Sequence, residues 1–130
     1  METILLQESD AAVFDIVSTA LEMEGYRVFS LSNQHENALE MVRRHQPGLV
    51  LLDYWLRNHS GKLCHWIKSH FPGVHIVVFS SDPGIRQQYH TLGFDGYLNK
   101  PFDLEELYAI VKKYARAPRA RGRKQMPVNG

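Results

Sequence analysis

Cysteine is almost missing from this chain. Cys64 is the single example among 130 residues, so no internal disulfide can staple the fold, and within "KLCHWI" it reads as a buried thiol on one face of a helix. Long apolar runs are missing too. No stretch approaches the roughly 18 residues that span a bilayer, and the acidic opening "METILLQESD" has no cationic segment of the kind a secretory leader carries. The expectation is a soluble, cytoplasmic protein without a membrane partner. There is no glycine-rich loop joining a strand to a helix, which speaks against a nucleotide site. Seven histidines are present, and His59, His65 and His70 lie near Cys64, but none has the spacing of a zinc finger or of a His-Glu-x-x-His helix.

What is present suffices for one domain with one core: 44% of the residues are hydrophobic. The net charge of +1 conceals an asymmetry. Arg116, Arg119, Arg121, Arg123 and Lys124 follow Ala115, and no acid follows Glu106. That leaves ten cations against fourteen acids in residues 1–115, a charge near −4. An acidic domain over 1–115 and a basic tail over 116–130 are expected. The tail "RAPRARGRKQMPVNG" is poor in apolar residues, so disorder or a linker is its default, and its only route to nucleic acid is charge.

Two kinds of segment alternate along the domain. "TILLQ", "YRVFSL", "GLVLLD", "VHIVVFSS" and "FDGYLNK" read as strands. Between them, "DAAVFDIVSTALEMEG", "NQHENALEMVRRHQP", "GKLCHWIKSHFPG" and "PGIRQQYHTLG" carry helical spacing and proline or glycine stops. "DLEELYAIVKKYA" closes the series, with Asp103 as N-cap and Glu106 three residues later. Five βα units predict an α/β fold: a doubly wound parallel sheet with helices on both faces. Ligands of such sheets sit at the carboxyl ends of the strands.

That edge collects Glu8, Ser9 and Asp10 from the first strand, Asp53 from the third, Ser80 and Ser81 from the fourth and Lys100 from the fifth. Each alone is unremarkable: a strand-end Asp is usually a turn or cap residue. Together they include carboxylates that repel by about 4 kcal/mol at 4 Å and an effective dielectric near 20, so they need a cation or a shared proton. Magnesium suits such oxygen ligands. A carboxylate flanked by metal, ammonium and hydroxyl suits phosphoryl transfer, where positioning and charge neutralisation dominate.

The stretch "GFDGYLNKPFDLEEL" resembles the Asp-Tyr-Leu-x-Lys-Pro-Phe segment of response-regulator receiver domains of two-component signalling. "PGLVLLDYWLRNHSGKLC" is similar to that family's acceptor strand and loop, with Gly61 eight residues after Asp53. The resemblance covers roughly residues 3–115 and implies the CheY-like, flavodoxin-like fold with strand order 2-1-3-4-5. It further implies that Asp53 is the phospho-acceptor, that Glu8, Asp53 and the Trp55 backbone carbonyl hold Mg2+, and that Ser80, Tyr97 and Lys100 form the phosphate-binding and switch set. Lys100–Pro101 matches a bond that is cis in the family. The implied function is a phospho-accepting switch rather than an enzyme with its own substrate. Its partners would be a histidine kinase or phosphotransfer protein, and a downstream effector or an output domain, with homodimers allowed.

The chain departs from the pattern at three places. The family usually has two adjacent acids after the first strand, and here Ser9 takes the second place, which weakens the expected magnesium site. Asp10, one residue out of register and so turned toward the other face of a strand, stays a candidate modulator of the pocket alongside Ser9 and Arg57. Arg57 replaces a common proline and brings a cation to the pocket's rim. Gln7 stands where an apolar strand residue is usual. Ser9 and Arg57 keep a second reading open: an atypical receiver acting as an interaction module that needs no phosphate.

Overall fold

The computed structural model describes residues 2–31, 34–54 and 59–123, with side chains for all of these but 35 and 116–123. Chain order is β1 (Thr3–Gln7), α1 (Ala11–Met23), β2 (Arg27–Ser30), α2 (His35–His45), β3 (Leu49–Asp53), α3 (His59–His70), β4 (His75–Ser80), α4 (Ile85–Gln88), β5 (Gly96–Asn99) and α5 (Leu104–Arg123). All strand pairs are parallel, in the order β2-β1-β3-β4-β5. The alternation and sheet order expected from the sequence are therefore the ones observed.

The central strands are apolar on both faces because helices cover both. Leu5, Val50, Leu52, Ile76 and Val78 pack beneath α2, α3 and α4. Ile4, Leu6, Leu49, Leu51, Val77 and Phe79 pack beneath α1 and α5. Cys64 belongs to the first layer, is fully buried, and has its thiol pKa pushed up to about 12 by that burial. A thiol so placed is inert near neutral pH.

Local chemistry sets the element ends. Asp10 caps α1, its carboxylate accepting from the Ala12 and Val13 amides at 2.9 and 3.3 Å. Asp103 and Glu106 cap α5 reciprocally, at 2.8 and 3.0 Å. Before Pro47, α2 stops at Gln46, whose φ of 48° is left-handed without a glycine to ease it. At the far end of the sheet, Asp95 binds Lys68 at 2.8 Å and the Ile76 amide at 2.7 Å, which clamps α3 to β4 and the start of β5.

Two elements differ from their sequence reading. "PGIRQQYHTLG" gives only the four residues Ile85–Gln88 as helix. Its N-cap Gly84 has no side chain to offer, only Ile85 is buried, and the chain leaves by turns to Gly93 at φ 99°. In contrast, α5 continues past Ala115 to Arg123.

Gln7 is the odd residue of β1. It lies across from Leu52 and is 6% exposed, and neither atom of its amide has a hydrogen-bond partner. A buried orphan polar group costs about 1–3 kcal/mol. Gln7→Leu, nearly the same size, is expected to raise unfolding stability by about 1–3 kcal/mol in urea titration. A loss of stability would refute the orphan assignment.

Candidate functional site

The parallel strands end at one edge, and four side chains from three strand ends meet there. Lys100 Nζ, just after β5, donates to Asp53 Oδ1 at 2.9 Å and to Glu8 Oε1 at 3.0 Å. Ser9 Oγ donates to the other Asp53 oxygen, Oδ2, at 3.2 Å. Glu8 also accepts from the Asp10 amide through Oε2, at 3.1 Å. The Lys100–Pro101 bond is cis.

The two acids of this cluster are shielded from water: the Glu8 side chain is 1% exposed and that of Asp53 9%. Their oxygens share one nitrogen and so lie within about 6 Å of each other, where repulsion is roughly 3 kcal/mol at an effective dielectric of 20. Lys100 offsets it. Burial opposes its ammonium, but hydrogen bonds to Asp53 and Glu8 outweigh that and hold its pKa above the ordinary 10.5. The pairing thus stabilises the fold below pH 10.5 and is lost as pH rises through the raised value.

Of the residues singled out in the sequence, Glu8, Ser9, Asp53 and Lys100 come together. Asp10 does not, because its carboxylate is committed to the α1 cap. Ser80 Oγ accepts from the Asp82 amide at 3.0 Å, facing the loop into α4. Tyr97 is half-buried with its ring 5.0 Å from that of Tyr89. Trp55 and Arg57 lie outside the described residues.

Two contributors escape a reading of the sequence. Buried Ser60 donates to the Asp53 backbone carbonyl at 2.9 Å and so ties α3 to the acid's main chain. Asn99 bridges the Ser80 and Asp82 carbonyls at 3.3 and 3.1 Å, which joins the end of β5 to the loop after β4. Nothing but their places beside Gly61 and Lys100 hinted at either. Beside Lys100 runs a groove of about 810 Å³, lined by Val13, Ile16 and Val17 of α1 and by Pro101, Phe102 and Leu104.

Residues 4–112 match the model of the response regulator receiver domain. The chain belongs to that family. It is 34% identical over 116 residues to the response regulator MprA of Mycobacterium leprae, with 87% of this chain and 50% of that protein covered. The heme response regulator HssR of Staphylococcus saprophyticus is 30% identical over 120 residues, with 88% and 53% covered. The chain therefore spans about half the length of the curated relatives it matches. Among solved structures, a response regulator from Thermotoga maritima superposes with a TM-score of 0.76 at 28% identity, covering 87% of this chain and 96% of that one. The chemotaxis protein CheY4 of Vibrio cholerae, at 19% identity, TM-score 0.75 and coverage of 88% and 98%, shares the fold.

Receiver domains are signalling domains rather than conventional enzymes, and they generally bind Mg2+. The donors here fit that ion sparsely. Glu8 and Asp53 offer carboxylates and Ser9 a neutral hydroxyl, and no group of three His, Cys, Asp or Glu suited to a metal occurs among the described residues. Also among the described residues, no helix is long and apolar enough to cross a membrane.

Proposed function

We propose that Asp53 is the phospho-acceptor of this receiver domain and takes its phosphoryl group from a phosphohistidine on a kinase or phosphotransfer protein. The observation that carries this is the Lys100 bridge, which points one ammonium at the acceptor and at a second buried acid. An Asp53 oxygen attacks phosphorus and an O–P bond forms. The P–N bond to imidazole breaks, and its electron pair stays on the nitrogen. Oδ2 is the freer nucleophile, because it is held only by a neutral hydroxyl at 3.2 Å. Lys100 then meets the charge arriving on the phosphoryl oxygens.

Magnesium, held by Glu8 and Asp53 and weakened by Ser9, would supply further charge neutralisation when bound. The apolar groove along α1 opens beside Lys100, so a donor seated on it brings its imidazole to the acceptor. Ser80 and Tyr97 are the switch pair, one on the strand neighbouring the acceptor and the other beneath α4. Their rearrangement would alter the face of α4, β5 and α5 presented to an effector or an output domain. The competing reading, a module indifferent to phosphate, gains nothing specific from the relatives or the fold.

Incubation with a phosphorylated histidine donor, with and without magnesium, tests the proposal. A hydroxylamine-labile phosphoryl label on the chain is the expected result. No label under any condition would end the reading.

A further inference from the structure

We infer that Ser9 releases this acceptor from dependence on a divalent cation: with a neutral hydroxyl there, the Lys100 ammonium bridging Glu8 and Asp53 is the cation that holds a phosphoryl-like group. The inference rests on Asp53 being the acceptor and goes on to say what the site requires.

Three observations lead to it. Both buried acids already have a cation in common, at 3.0 and 2.9 Å. Two carboxylates and one ammonium leave a single negative charge, whereas an acid at position 9 would leave two, the excess that a dication answers. Next, Glu8 is anchored through both oxygens, one on Lys100 and one on the Asp10 amide. Asp10 is in turn fixed by its cap on α1. Moving Glu8 onto a metal therefore breaks contacts that the protein already makes. Finally, the Ser9 hydroxyl donates a hydrogen bond to Asp53 Oδ2. It thus fills by hydrogen bonding the side of the acceptor where a second acid would have drawn a cation.

Tight metal binding at this pocket therefore needs a charge that the chain does not supply. Phosphoryl-group binding needs an ammonium and a hydroxyl, which it does.

Beryllofluoride, an analogue of the aspartyl phosphoryl group, gives a direct test on the full chain. Bound fluoride is followed by fluorine NMR with magnesium and with a chelator, and Mn2+ affinity is measured separately by water-proton relaxation. For the wild type, a bound signal is expected in both conditions, with affinities within about threefold. In Ser9→Asp, chelation should weaken the analogue by about tenfold or more, and Mn2+ should bind about tenfold tighter than to the wild type. Ser9→Ala separates charge from hydroxyl: its binding is expected to weaken overall yet stay indifferent to metal. Ser9 is exposed, so neither substitution disturbs a core.

A wild-type signal that appears only with magnesium overturns the inference and leaves Asp53 as the acceptor. Metal dependence in Ser9→Ala, or equal Mn2+ affinity in the wild type and Ser9→Asp, also overturns it. Absence of a bound signal with and without magnesium removes the acceptor reading itself.

Discussion

Asp53→Asn is expected to abolish phosphoryl uptake, with hydroxylamine-labile label falling at least about a hundredfold, to background. The substitution keeps shape and removes chemistry. An amide oxygen can still accept from Lys100 where Oδ1 does now, at 2.9 Å, and the amide nitrogen can donate to Ser9 Oγ where Oδ2 now accepts at 3.2 Å. What disappears is the anionic nucleophile that forms the acyl phosphate. Lys100 keeps Glu8 as its counter-ion, so the change in stability should stay within about 2 kcal/mol by urea titration. Retained label in a folded Asp53→Asn protein would place the acceptor elsewhere.

Much of this arrangement is legible in the sequence because parallel sheets write themselves plainly. A strand covered on both faces must be apolar throughout, and "ILL", "LVLL" and "HIVVF" have few other uses. Fix the strands, and their carboxyl ends follow, so Glu8, Asp53 and Lys100 fall to one edge even though 92 residues separate the first from the last. The partners within that edge are another matter. That Ser9 would turn to Asp53 while Asp10 turned to cap α1 depends on side-chain torsions at a strand–helix junction, which residue type alone does not set.

Other features were hidden for different reasons. Ser60 looks like any polar residue in a first helical turn, and only tertiary packing brings its hydroxyl to the Asp53 carbonyl. The run after Pro83 has the punctuation of a helix, proline at one end and glycine at the other, yet too little of it is buried to extend α4 beyond one turn. Helix signals locate ends well, whereas burial decides what happens between them.

The core beneath the site is where a single substitution should cost the most stability. Phe79 is fully buried in β4, paired across to Asp53 on one side and Leu98 on the other, with its ring 5.1 Å from that of Phe102. Its carbonyl accepts from the Tyr54 amide at 2.8 Å. Phe79→Ala leaves a ring-sized cavity at the centre of a close-packed sheet and should cost about 3–5 kcal/mol, a large part of the roughly 5–15 kcal/mol that holds a domain together. The melting temperature should fall by roughly 10–20 °C. Because Phe102 follows Lys100 and Pro101 directly, the same cavity loosens the segment that aims the ammonium, so phosphoryl uptake should fall even at temperatures where the variant is folded. Phe79→Leu keeps most of the volume and should cost about 1 kcal/mol with little effect on uptake. Equal losses in the two variants, or a loss below about 1 kcal/mol in Phe79→Ala, would show that this ring does not support the floor of the site.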